Sequence, residues 1–331
     1  MLDLTVLGEL LIDFTPEGQN PSGMLLFSRN PGGAVANVAC TVTRLGHTAA
    51  FCGKVGDDMH GRFLRDTLRS YDVDTEGLVL DPAEMTTLAF VTLEPDGERS
   101  FSFCRNPGAD TRLRPDEINP AQIQTSRILH VGSLSMTDEP AASATRSAVA
   151  VAREAGVLVS FDPNYRELLW RSRDEAIRAM LELYSQADLV KFSREEAQMC
   201  FPRGDISREM PELFADRKRW VVVTDGSNGA FVHGPGEVFH VPAIPTEVIV
   251  DTTGAGDIFW GAFLAAFLTV RRNVDDLTLK DVCEFAVFGT VCAALSLGKH
   301  GAIPSIPSRE NILSVLQNAE TATRGTKRNT P

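Results

Sequence analysis

Asp251-Thr-Thr-Gly-Ala-Gly-Asp257, running straight into Ile258-Phe-Trp-Gly-Ala-Phe-Leu264, is a Gly-rich turn that opens onto an apolar, helix-compatible run. Such a turn leaves the backbone N–H groups of Gly254, Ala255 and Gly256 facing outward together, with the positive end of the helix dipole behind them. That arrangement suits a phosphate or a phosphoryl transition state. Asp257 fits it poorly, because a carboxylate repels an anion. Two explanations stand open. Asp257 takes a proton from a nucleophile that attacks the anion, or it is an acidic first-turn residue that favours the helix start.

Outward from this stretch the chain alternates strand and helix. Strand patterns at residues 128–131, 158–162, 189–192, 220–224 and 230–233 alternate with helical patterns at 141–155, 173–185 and 258–270. Further helices fit 279–297 and 309–319. Alternation at this spacing predicts an α/β domain of three layers, a mostly parallel sheet with helices on both faces. Ligands in such sheets sit at the carboxyl ends of the strands. Toward the N-terminus, residues 4–7 and 10–14 read as one β segment broken at Gly8-Glu9. A helix is predicted at 34–45, with Asn37, Thr41 and Arg44 off its apolar side, then a strand at 49–53 and a helix at 61–71.

Residues 86–93 and 99–105 alternate like an antiparallel hairpin around Glu94-Pro-Asp-Gly97. With the segment at 14–30 they fall outside the main layer and are expected to form a small β sheet standing off it, a lid. Residues 1–310 read as one domain. Residues 311–331 read as a helix end and a tail that lacks apolar anchors and is expected to fray.

The 331 residues, 43% of them apolar and 23% charged, have the composition of a soluble globular protein. A net charge of −12 argues against nucleic acid or an anionic membrane as partner. No apolar run reaches membrane-spanning length, and the N-terminus shows no signal-peptide pattern. Six scattered cysteines without a Cys-x-x-Cys, and six histidines without ligand spacing, read as buried thiols of a cytoplasmic protein.

Four other clusters follow strands or turns, and each has a plain alternative. Asn30-Pro-Gly-Gly-Ala-Val-Ala-Asn37 lets a ligand approach the backbone at Gly32 and Gly33, with the Asn37 amide one turn in; alternatively it is a tight turn with a surface Asn. Asp13 could grip two sugar hydroxyls or serve a turn. Phe161-Asp-Pro-Asn-Tyr-Arg166 could hold a polyphosphate with its hydrated Mg²⁺; otherwise it is an Asp-Pro-Asn turn with Arg166 solvated. Lys191-Phe-Ser-Arg-Glu-Glu196 contains Ser193 and Glu196 at the spacing of a capping box. Val223-Thr-Asp-Gly-Ser-Asn-Gly229 offers Thr224 and Gly226 to a nucleotide, yet by itself is a hairpin. A P-loop, a dinucleotide Gly-x-Gly-x-x-Gly after the first strand and a Gly-x-Ser-x-Gly elbow are all missing, so phosphate binding falls to the Asp251 segment.

In this order the motifs resemble the ribokinase-like (PfkB) carbohydrate kinases over the chain to about residue 308. The signatures are Gly-Gly-x-x-x-Asn at 32–37 and Asp-Thr-x-Gly-Ala-Gly-Asp at 251–257. Gly8-Glu-Leu-Leu-Ile-Asp-Phe14, Asn30–Val38, Phe103-Cys-Arg-Asn-Pro-Gly-Ala-Asp110 and the segment after Phe161 look most like fructokinases. Gly53-Lys-Val-Gly-Asp-Asp-x-x-Gly61 is similar to a turn common in the family.

The resemblance implies an ATP-dependent sugar kinase, with fructose as the leading substrate and a 2-keto-3-deoxygluconate or other ketose kinase as the alternative. A kinase-fold sensor without turnover is a rival of another class. The resemblance makes Asp257 the general base and Gly254, Ala255 and Gly256 the anion hole. Asp13, Gly32, Gly33, Asn37 and Arg105 would hold the sugar. Asn164, Arg166, Lys191, Thr224, Gly226 and Gly229 would serve the nucleotide. Asp251 and Thr253 would bind K⁺, and Glu196 would face Mg²⁺. A homodimer through the β lid is expected. The chain departs from the family pattern at Ser193, where Asn is common, at Val35, at Trp260, and at Leu11, where ribokinases carry an Asn for ribose.

Overall fold

Residues 2–93, 99–208, 210, 213, 219–234, 236–246, 248–312 and 314–315 are described by the computed structural model. The chain begins with β1 (Leu2–Leu7), β2 (Leu11–Gln19), β3 (Leu25–Gly32), α1 (Ala34–Arg44), β4 (Ala49–Gly56) and α2 (Met59–Ser70). Next come β5 (Val73–Asp74), β6 (Leu78–Asp81), β7 (Leu88–Leu93), β8 (Arg99–Cys104), α3 (Pro120–Gln124), β9 (Ser126–Val131) and α4 (Ala141–Glu154). The second half contributes β10 (Leu158–Phe161), α5 (Arg173–Gln186), β11 (Leu189–Ser193), α6 (Arg194–Cys200) and β12 (Trp220–Thr224). It ends with β13 (Ala230–Gly234), β14 (Glu237–Val241), α7 (Ala255–Val270) and α8 (Leu279–Ser296).

The main sheet runs β14-β13-β12-β11-β10-β9-β1-β4-β5, with β6 also on β4. All its pairings are parallel except β12–β13 and β13–β14. Strands covered on both faces carry continuous apolar runs, and Trp220-Val-Val-Val-Thr224 is one. Successive side chains then feed two cores. Leu4, Val6, Ile128 and Val222 pack under α1 and α7 with Val38, Phe263 and Trp260. Leu7, Leu129, Val131, Val221 and Val223 pack under α4 and α5 with Ala148 and Met180. The three-layer α/β expectation is met. Trp260 fits its deep position by stacking on Phe263 and donating Nε1–H to Ser160 Oγ at 2.9 Å.

The second sheet, β3-β2-β7-β8, stands apart from the first. It is wider than the expected lid of 14–30 and 86–105, because Gly8-Glu9 is the place where the chain leaves one sheet for the other. Leu11 already pairs with Gly32 in the lid. The turn at 94–97 lies outside the described residues, as do residues 313 and 316–319 of the helix expected at 309–319 and most of the segment 311–331. The Gly53–Gly61 turn anchors this sheet: Asp58 caps α2 and accepts the Thr86 N–H at 2.8 Å, just before β7.

Two helix expectations need correction. Asn37 and Thr41 are buried, not on a free face, because α1 is sandwiched between the sheet and α7. The Thr41 hydroxyl donates back to the Asn37 carbonyl, so it can be buried without an unpaired donor. The second helix at fault, α7, begins at Ala255, three residues before the expected start, so Asp257 lies inside its first turn.

Candidate active site

The carboxyl ends of β1 and β9, the loop after β10 and the N-terminus of α7 enclose a cavity of about 390 Å³. Glu9, Leu11, Asp13, Gly33, Ala34, Asn37, Phe103, Leu134, Asn164, Arg166, Thr252, Thr253, Gly254 and Asp257 line it. Strand geometry explains why these residues meet. In a parallel sheet every strand delivers its carboxyl end to one edge, and β2, β3 and β8 of the lid form the outer wall.

Asp257 is buried in this cavity. Its Oδ2 accepts the Asn37 Nδ2–H and its Oδ1 accepts the Asn164 Nδ2–H, both at 2.7 Å. The two signatures thus close on each other across 220 residues of chain. Burial pushes the Asp257 carboxyl above its ordinary range, while the Asn37 bond and the charges of Lys191 and Arg166 pull it back. Asn164 reaches it from a left-handed backbone (φ 48°), a conformation Asn tolerates better than most residues. The sequence assigns Asn164 to the phosphates; here its amide is on the Asp257 carboxylate.

Gly254 caps α7 with φ 74°. A Cβ there would lie 2.3 Å from the Ala302 Cβ, so sterics and backbone both demand glycine. The three outward N–H groups expected of this turn are reduced by one, because Ala255 N–H donates to the Thr252 carbonyl at 3.3 Å. Those of Gly256 and Asp257 belong to the first turn and lack a helical acceptor. Lys191 stands behind the turn, its Nζ 3.6 Å from where a Gly256 Cβ would be. It is buried and paired with Asp162 at 2.8 Å. Burial works against the ammonium, yet Asp162 and Glu196 outweigh it and hold its pKa above the ordinary value.

The sugar-side residues are close-packed. A Cβ at Gly32 would lie 2.2 Å from Asp13 Oδ2, and one at Gly33 (φ 116°) 2.4 Å from the Glu9 carbonyl. Burial raises the Asp13 carboxyl to about 6, with Arg166 opposing and Asp257 and Asp251 adding to the rise. Arg105 is outside the cavity wall. Its guanidinium donates to Asp110, Thr137 Oγ1 and the Leu134 carbonyl at 2.7, 2.8 and 2.9 Å. It is therefore seated against the body of the domain.

Metal and nucleotide expectations divide similarly. Glu196 makes the capping box: Oε2 accepts the Ser193 N–H and Oε1 the Tyr165 N–H, at 2.7 and 2.8 Å. Both oxygens serve backbone, which fixes the 162–166 loop and accounts for the residue without a metal. Among the described residues no group of three or more His, Cys, Asp or Glu could hold a metal ion. Asp251 ties its turn together by accepting from Thr253 N–H at 2.8 Å and Gly301 N–H at 2.9 Å. A buried carboxylate within a turn of carbonyl oxygens is a donor set that suits a hard monovalent cation. Thr224, Gly226 and Gly229 form the β12–β13 hairpin turn outside the cavity. They share its edge of the sheet, since Thr224 pairs with Ser193 at the end of β11.

Glu9, Ala34, Phe103, Leu134 and Thr252 line the cavity and were not expected at the site. The rule of strand carboxyl ends could have found Glu9, which directly follows β1. Leu134 carries no motif and arrives only through the turn after β9.

The family model described as pfkB family carbohydrate kinase matches residues 1–309. Fructokinase-1 of Zea mays is 41% identical over 317 residues, covering 94% of this chain and 97% of its own. The crystal structure of a fructokinase with bound ATP from Xylella fastidiosa matches with TM-score 0.88 at 32% identity, covering 97% of this chain and all of that one. A double-mutant fructokinase from Vibrio cholerae O395, in a form with fructose, ADP and potassium ion bound, matches with TM-score 0.85 at 34% identity, covering 95% and 98%.

Proposed function

Because the chain belongs to the pfkB family of carbohydrate kinases, we propose that it transfers the γ-phosphoryl group of ATP to D-fructose, making fructose 6-phosphate. The observation that carries the reading is Asp257, buried at the N-terminus of α7 with both oxygens held by amides. Each oxygen keeps a second lone pair, so the carboxylate can still accept a hydroxyl proton. As that proton moves to Asp257, the sugar oxygen bonds to phosphorus and the bond to the ADP oxygen breaks. The first-turn N–H groups of α7 and the charge of Lys191 behind them stabilise the anion that passes. Mg²⁺ would be held by the nucleotide's own phosphates and would supply charge neutralisation there. Arg166 and the 224–229 turn serve the nucleotide side.

Fructose is favoured over the alternatives by the fructokinase relatives and by the cavity itself. Leu11 lines it, where an Asn would serve ribose. Three carboxylates, Glu9, Asp13 and Asp257, face a single cation, Arg166, on its wall. That balance disfavours 2-keto-3-deoxygluconate, whose own carboxylate would need the opposite sign. The test is ADP release coupled to fructose, ribose, glucose and 2-keto-3-deoxygluconate. Fructose should give the highest kcat/KM, and a higher value for the sugar acid would overturn the substrate assignment.

The cavity carboxylates also set a pH profile. The free-enzyme form that works needs Asp13 ionised to accept hydroxyls and Asp257 ionised to accept the proton. With Asp13 raised to about 6 and Asp257 raised as well, both gain protons as pH falls. The value of log(kcat/KM) should therefore fall below about pH 6 with a slope above one. A profile flat to pH 5 would count against both roles. For the Asp251 turn we expect K⁺ to raise kcat relative to Na⁺ or a bulky organic cation, by adding order and positive charge beside the anion hole. Equal rates at fixed ionic strength would remove the cation from the account.

The lid supports a homodimer. Met24, Leu25, Leu26 and Phe27 are 61, 64, 45 and 43% exposed, an apolar row too large for a free surface. Light scattering should give twice the chain mass. The cysteines, all free, suit the cytoplasm. Among the described residues no helix is long and apolar enough to cross a membrane.

A further inference from the structure

Glu9 lies in the crossing from β1 to β2, is 2% exposed, and lines the cavity beside Asp13 and Asp257. Its two oxygens have different fates. Oε1 accepts the Ala34 N–H at 2.7 Å, at the start of α1. Oε2 is buried and accepts from no other residue; burial raises the carboxyl to about 7, with Glu9's own backbone N–H and that of Ala34 opposing the rise. Holding the start of α1 requires one oxygen only, and the Glu9 carbonyl already abuts Gly33. The second oxygen is therefore surplus to the fold, and a buried carboxylate oxygen is costly unless something donates to it. The charges that act on Glu9 are Asp110 and Arg105, whereas those acting on Asp13 are Arg166, Asp257 and Asp251. The two carboxylates thus serve different parts of one cavity.

We propose that Glu9 is a substrate-binding residue whose Oε2 accepts a hydroxyl of the bound sugar, one that is not the phosphoryl acceptor, while Oε1 holds the Gly33–Ala34 turn in place. The inference rests on the sugar-kinase reading and adds to it a specificity determinant. A site built to hydrogen-bond a hydroxyl rejects the analogue that lacks it, because the protein group is then left buried and unpaired.

The test uses the full-length chain and the sugar that the wild type binds best, with the set of its monodeoxy analogues. Both kcat/KM and calorimetric Kd are measured for the wild type, Glu9→Gln and Glu9→Leu. Above pH 7, where Glu9 is ionised, deleting one particular hydroxyl should lower wild-type kcat/KM about 10–100-fold, the range for a hydrogen bond to a charged group. The same deletion should cost Glu9→Leu less than about 3-fold, while the other deletions cost both enzymes alike. Glu9→Gln keeps an acceptor for Ala34 N–H, so it should melt like the wild type and raise KM for the parent sugar. Equal losses for every analogue in wild type and variant would overturn the proposal, as would a wild-type KM in Glu9→Gln. Should Glu9→Leu fail to fold, Glu9→Ala takes its place in the same comparison. A best sugar other than fructose would defeat the fructose assignment alone. Binding without turnover would defeat the kinase reading, and the Kd values would still decide Glu9.

Discussion

Asp257→Ala lowers kcat for sugar phosphorylation by about 10²–10⁴-fold, the usual cost of losing a general base, while ATP still binds. Asp257 is the only carboxylate inside the first turn of α7, where the helix end favours the anion that the sugar hydroxyl attacks. Its aim is set by Asn37 from one signature and Asn164 from the loop after β10, so no neighbouring carboxylate is placed to replace it. Its raised pKa brings it nearer to working pH, which makes it a better proton acceptor than an exposed Asp. Asp257→Asn is the shape-preserving companion. A flip of the Asn37 amide restores the pair, so the fold survives and only the proton acceptor is lost. Near-normal turnover in either folded variant would end the general-base account.

Lys191→Met should lower stability by about 3–5 kcal/mol, the cost of breaking a buried ion pair from one side, read from urea unfolding. The ammonium is 5% exposed, and its partner Asp162 is 2% exposed with Oδ1 unpartnered. Removing the cation leaves a buried carboxylate with nothing to offset its desolvation. The double variant Lys191→Met/Asp162→Asn should recover most of the loss, because the charge to be compensated is gone. The double variant separates the roles of Lys191: stability returns, while kcat stays low because the positive charge behind the α7 turn is missing. A single variant as stable as the wild type would show that the pair carries no weight.

The alternation of strand and helix was legible because a parallel sheet buried on both faces forces apolar runs such as Trp220–Thr224, and helices on its faces force the 3.6-residue period. The Asp251–Asp257 turn was legible because glycines at an αL position and an acid in the first turn leave few other uses. Asn37 was legible as a polar residue one turn into α1, but its burial was not, since periodicity reports an apolar side and says nothing of a second helix closing over the other. That Arg105 and Lys191 are each paired with a buried carboxylate was illegible for one shared reason. A cation near a phosphate motif and a cation consumed by a buried carboxylate look the same in sequence, and Asp110 and Asp162 are told apart from solvent only by the packing around them.

By itself, then, the sequence determined the α/β layers, the small second sheet and the two glycine-rich turns, all of which follow from local period and backbone freedom. The tertiary structure alone decided that Asn37 and Asn164 converge on Asp257, that the second oxygen of Glu196 takes the Tyr165 N–H, and that Glu9 faces the cavity. Those outcomes depend on contacts between residues from 25 to 220 positions apart. Hydrogen bonds and desolvation at such separations are set by how the sheet edge gathers its loops, and no local pattern encodes that.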